Sequence, residues 1–140
     1  MDEQLLESDG CYHIGAHRFR FEPPDIMHII FDGPVNGEQF ELFYEKAKEL
    51  VPDGPFYILR DKRAGGFLSA ETRARIIKIA DPARITAIVS YGASFQIQII
   101  VTMLLKAMRV FRRSAPLAIF VNTVEEGKTW IEEHRRRASL

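Results

Sequence analysis

Three short, largely apolar runs in the later part of the chain constrain its fold more than any other feature. The runs lie at 56–59, 85–91 and 117–121, and a segment with helical periodicity follows each of them. A strand without alternating polar residues has both faces covered, as in a parallel sheet flanked by helices. The sequence therefore predicts an α/β fold in which right-handed crossovers connect parallel strands.

The N-terminal part predicts a different kind of pairing. Strand-like runs lie at 12–14, 17–21 and 26–31, and glycine or a proline pair separates them. We expect these runs to add antiparallel strands to the parallel ones, which makes the sheet mixed. Four helices follow, with capping boxes at 36–39 and 123–126 and capping serines at 69 and 94.

Length and composition indicate one folded domain. The 140 residues are 46% hydrophobic and 27% charged, which is ordinary for a globular protein and excludes disorder throughout. We expect a single domain over 10–134, with flexible ends at 1–9 and in the basic tail 135–140. The lone cysteine, Cys11, and an acidic N-terminus without a signal-peptide pattern predict a cytoplasmic protein.

The charges balance overall but not along the chain. Residues 1–53 carry 12 acids and 4 bases, whereas residues 54–140 carry 7 acids and 15 bases. A net charge of zero predicts no nucleic-acid binding. This uneven distribution of charge along the chain has two interpretations. The two parts form separate charged surfaces that bind a charged partner, or their acids and bases interleave in the fold and cancel locally.

The chain resembles the SpoIIAA-like superfamily, which includes STAS domains, and more closely its small bacterial STAS/SEC14-type members. The resemblance covers about residues 10–134 and rests on the element order and three runs. These runs are FYILRD at 56–61, LSAE at 68–71 and AIFVNTVEEGKTWI at 118–131. It implies a mixed α/β sheet and a non-enzymatic role in regulation or protein interaction.

STAS anti-anti-sigma factors carry a phosphorylated serine at the start of the helix after the strand that ends in Asp. Counted from Asp61, that serine falls at Ala70, and Ser69 takes the place of the preceding acid. A one-residue shift in the loop would restore Ser69. The resemblance thus offers Ser69 as a phosphorylation site, whereas the sequence itself predicts a helix N-cap there.

The segment from Arg60 to Ser69 is the candidate anion site. It follows a predicted parallel strand, where α/β sheets bind ligands, and it ends at a helix N-terminus. Its candidate residues are Arg60, Lys62, Arg63, Gly65, Gly66 and Ser69. The same sequence also fits an exposed basic loop that binds no ligand.

No pattern predicts catalysis, a cofactor or a metal. His13 and His17 have a helical metal spacing, but Gly15 lies between them in a predicted strand and turn. His28 and His134 fit buried, hydrogen-bonded positions. No nucleophile elbow is present, so we expect a protein that is not an enzyme.

The long helix from 94 to 111 has more apolar surface than one sheet can cover. Its candidate interface or apolar-ligand residues are Ile97, Ile100, Val101, Leu104 and Met108. A neighbouring helix, a second subunit, an apolar ligand or a membrane surface could cover them. We expect a homodimer, and the uncharged stretch is too short and polar for a transmembrane span.

Two functions follow from these observations. The first is a cytoplasmic regulatory or protein-interaction module of the STAS type. The second is a carrier or sensor of a small apolar, lipid-like or anionic ligand, which the broad likeness to CRAL-TRIO lipid-transfer domains favours. The sequence names neither the protein partner nor the ligand.

Overall fold

The computed structural model describes residues 11–112 and 116–139, with the side chains of residues 66, 82, 108, 111 and 112 excepted. Strands and helices alternate over most of this range. In chain order they are β1 (Tyr12–Ile14), β2 (His17–Glu22), β3 (Ile26–Ile30), β4 (Gly33–Val35), α1 (Gly37–Leu50), β5 (Phe56–Asp61), β6 (Gly65–Leu68), α2 (Ala70–Ile79), a 3₁₀ turn (Pro82–Arg84), β7 (Ile85–Tyr91), α3 (Phe95–Arg112), β8 (Leu117–Val121) and α4 (Val124–Ala138).

The main sheet is mixed, as predicted from the sequence. Its six strands lie in the order β1-β2-β3-β5-β7-β8. The first three pair antiparallel, and β3, β5, β7 and β8 pair parallel. This arrangement confirms the α/β class and the antiparallel N-terminal addition.

Helices cover the two faces of the sheet unequally. Helices α1, α2 and α3 pack on one face, which we call the three-helix face, against side chains such as Ile58, Ile88 and Phe120. Helix α4 packs on the other face against Leu59 and Val89. Neighbouring residues of β5 and β7 therefore point into different layers.

Strands β4 and β6 form a second, two-stranded parallel sheet that no sequence pattern predicts. The amide of Gly33 donates a hydrogen bond to the Ala64 carbonyl at 2.9 Å. A Cβ at position 65 would overlap the Gly33 backbone. Glycine at position 65 therefore permits this close approach.

Helix α4 extends through residues 135–138, where we expected a flexible tail. Arg135 on this last turn forms an ion pair with Asp25, which helps to explain the extension. Residues 1–9, expected to be flexible, lie outside the described residues. No helix in the described ranges has the length and apolar character needed to cross a bilayer.

Candidate functional site

Most of the segment predicted as an anion-binding loop belongs to regular structure. Arg60 is part of β5, and both Gly65 and Gly66 are part of β6. Because β6 pairs with β4, these two glycines build a strand rather than a flexible phosphate loop. The expectation of a glycine-rich loop at this place is therefore corrected.

The three basic side chains of the segment, Arg60, Lys62 and Arg63, have different surroundings. The exposed Arg63 binds the Asp61 carboxylate through Nε and Nη2, at 3.0 and 2.7 Å. Lys62 is buried, and its Nζ lies 5.0 Å from the centre of the Phe31 ring. Arg60 lies on the three-helix face and lines a cavity. The cations thus do not form one exposed anion site, although Arg60 and Lys62 remain neighbours.

Ser69 caps α2, as its sequence position predicts. Its hydroxyl accepts a hydrogen bond from the Thr72 amide at 3.1 Å and donates one to Thr72 Oγ1 at 3.0 Å. The residue is exposed. This capping role accounts for a serine at the position, and phosphorylation of Ser69 stays a prediction.

An apolar cavity of about 90 Å³ lies between the three-helix face and its helices. Phe19, Ile58 and Ile88 line it from the sheet. Phe43 of α1, Ile76 of α2 and Leu104 of α3 are among its helical lining residues. A cavity with such walls binds apolar groups in preference to water.

Arg60 is the charged residue among those that line this cavity. Its Nε and Nη2 donate to Ser90 Oγ at 3.1 and 2.9 Å. Within residues 11–112 and 116–139, no carboxylate forms an ion pair with its guanidinium. Burial lowers the pKa of Arg60 to about 10, so the side chain remains protonated at neutral pH.

Lys62 is not among the residues that line the cavity, but its charge interacts with that of Arg60. Burial, and secondarily the positive charge of Arg60, lowers the pKa of Lys62 to about 7. The ammonium group is therefore close to half protonated near neutral pH. A bound anion would favour the charged form of both side chains.

His17 and Gln39 are polar side chains that line the same cavity and already have partners. The Asp32 amide donates to His17 Nδ1 at 3.0 Å, so His17 Nε2 carries the proton and donates to the Pro34 carbonyl at 3.1 Å. Gln39 Oε1 accepts from the Asn36 amide in the capping box. Arg60 is thus left as the charged donor available to a ligand.

A buried polar chain on the α4 side of the sheet was not foreseen. His28 lies 3.2 Å from Glu22 Oε2 through Nδ1 and 2.7 Å from the Tyr91 hydroxyl through Nε2. Burial lowers the pKa of His28 and raises that of Tyr91 to about 12. Three strands of the sheet bring these residues together, and no sequence spacing links them.

The raised pKa of Tyr91 keeps its hydroxyl protonated at neutral pH. The prediction that His28 has a partner within the fold agrees with its two contacts. No cluster of three or more potential metal ligands occurs in the described part of the chain.

The candidate residues of α3 have separate locations. Ile97 and Val101 are buried against α2 and β8 of the same chain, and Leu104 lines the cavity. Ile100 is half-buried, and the Met108 side chain lies outside the described residues. Ile97 and Val101 therefore belong to the core, and the exposed apolar surface of α3 is formed by other residues.

Comparison of the chain with protein-family models, with curated proteins and with solved structures finds no match.

Proposed function

We propose that the protein is a non-enzymatic carrier or sensor of a small apolar anion. The observation that carries this proposal is the Arg60 guanidinium, which lines an apolar cavity and has a neutral serine as its hydrogen-bond partner. The Arg60 side chain is half-buried, and a cation that is partly removed from water is costly unless an anion compensates it. A carboxylate at Arg60 would supply this compensation.

The size of the cavity selects the apolar part of the ligand. Its volume of about 90 Å³ is well above that of a single water. It is smaller than the cavity of about 150 Å³ that holds benzene in a protein core. A short aliphatic chain therefore fits better than an aromatic ring, which favours short-chain carboxylic acids.

Binding is tested by isothermal titration calorimetry with a series of short unbranched carboxylates and the alcohols of equal chain length. We expect the carboxylates to bind more tightly, because a charge-assisted hydrogen bond to Arg60 is stronger than a neutral one. Failure of every member of the series to bind would contradict the proposal.

Two variants separate the polar end of the site from its apolar part. Arg60→Met should abolish the preference for carboxylates and retain alcohol binding, whereas Leu104→Phe should fill the cavity and weaken both. Arg18→Met is a matched control, because Arg18 is exposed on β2 and does not line the cavity. An unchanged carboxylate preference in Arg60→Met would remove Arg60 from the site.

A further inference from the structure

Helix α3 exposes a row of apolar side chains. Phe95, Ile99, Met103 and Val110 are 73%, 44%, 64% and 78% exposed. They are four of the six large apolar side chains that are exposed in the described ranges. Their spacing of four, four and seven residues places them on one side of the helix, which we call the outer row.

The outer row is not needed to hold α3 on the protein. Ile97, Val101 and Leu105 are buried on the opposite side of the helix, against α2 and the sheet. Exposed apolar side chains that are concentrated on one surface mark a contact with another molecule or a membrane. The outer row is therefore available as a contact surface.

The charged residues of α3 itself are all basic. Lys106 lies within it and Arg109 at its edge, and both are exposed. No acidic residue occurs between 82 and 124 in the sequence. The Thr102 hydroxyl donates to the Gln98 carbonyl at 2.8 Å, so it is bound to the helix backbone.

We infer that the outer row of α3 binds to the surface of an anionic lipid bilayer. An exposed apolar row with cations beside it is the pattern by which a helix lies in the bilayer interface. The four apolar side chains would enter the boundary between headgroups and acyl chains. Lys106 and Arg109 would contact anionic headgroups.

The charges make a second copy of this chain a poorer occupant. Two α3 helices facing each other would bring Lys106 and Arg109 against a helix that has no acidic residue. Helix α1 does carry exposed acids at Glu38, Glu45 and Glu49, but the exposed large apolar residues of the described chain lie elsewhere. An anionic bilayer matches both the apolar and the cationic parts of the row.

The test is co-sedimentation of the purified protein with vesicles. One set contains phosphatidylglycerol and phosphatidylcholine in equal parts, and the other contains phosphatidylcholine only. We expect binding to the anionic vesicles, with weaker binding at high salt. This experiment is independent of the cavity, because it uses no soluble ligand.

Paired variants locate the binding surface. Lys106→Gln with Arg109→Gln should weaken binding to anionic vesicles by about ten-fold or more. The control is Arg136→Gln with Arg137→Gln, which removes the same charge from exposed positions of α4, the helix on the other face of the sheet. Ile99→Gln with Met103→Gln should also abolish binding, with circular dichroism confirming that the variants fold.

Three outcomes would overturn the inference. The first is no sedimentation with anionic vesicles at low salt. The second is equal loss of binding in the α3 and α4 charge variants, which would indicate general attraction of a basic surface. The third is a dimer in sedimentation equilibrium that Ile99→Gln with Met103→Gln converts to a monomer, since a second copy would then cover the row.

Discussion

Lys62 shows how far a side chain's setting can depart from its sequence neighbourhood. It stands between two other bases, Arg60 and Arg63, and before two glycines, which is the pattern of an exposed basic loop. In the fold it is 5% exposed and packs on Phe31. The burial of Lys62 depends on the pairing of β3 with β5. No local sequence pattern predicts this pairing.

The pKa of Lys62 predicts a specific pH dependence of stability. Its folded-state pKa of about 7 lies below the ordinary value of 10.5. Between these values the unfolded chain binds more protons, so the free energy of unfolding rises with pH over this window. Below pH 7 the full cost of the buried charge is present, and above 10.5 no further gain occurs.

Denaturant unfolding at a series of pH values between about 6 and 10 measures this effect. Lys62→Met should be more stable than the natural protein near pH 6, and the difference should shrink as the pH rises. The exposed Lys106→Met is the control and should parallel the natural protein. Parallel curves for Lys62→Met and the natural protein would show that Lys62 is not the titrating group.

Among the helices and strands, the sequence predicts those features that depend on interactions between neighbouring residues. Asn36, Ser69 and Thr123 each cap a helix as expected, because a capping side chain acts within its own turn. Strands β4 and β6 have three and four residues and contain glycine or proline. Their pairing arises from tertiary proximity, so no periodicity could reveal it.

The pairing of β4 with β6 depends on the missing side chain at position 65. Gly65→Ala should lower the free energy of unfolding by about 1 to 3 kcal/mol, because its Cβ would meet the Gly33 backbone. Gly54→Ala is the matched control, since nothing lies within 4 Å of a Cβ there. Thermal unfolding of both variants measures the difference, and equal stability would contradict the close approach.

Across the whole molecule, the division of charge along the sequence is partly cancelled by the fold. Arg75 pairs with Glu41, Lys128 with Glu22 and Arg135 with Asp25, so three ion pairs join the basic part to the acidic part. This agrees with the expectation that acids and bases interleave. Local cancellation also makes Arg60 in the cavity and Lys106 and Arg109 on α3 more distinctive, because none of the three forms an ion pair within the described residues.

The sequence predicts the candidate site only in part, because the cavity forms when the whole chain folds. Arg60 and Leu104 were both singled out from the sequence, but in different sites. The fold places both side chains at one cavity. Arg60 of β5 lies on the three-helix face, and α3 packs on the same face. Composition and spacing describe single elements, whereas a cavity is formed between elements that are distant in sequence.

The most direct test of the proposed function is to locate a bound ligand by nuclear magnetic resonance. The probe is butanoate, a short-chain carboxylate of the size that the cavity favours, with protein labelled at the methyl groups of Ile and Leu and at the arginine Nε. We predict intermolecular nuclear Overhauser effects from the ligand's terminal methyl to Ile88 and Leu104, and a shift of the Arg60 Nε signal. Effects confined to exposed residues such as Ile99, with Arg60 unchanged, would contradict a carboxylate-binding cavity.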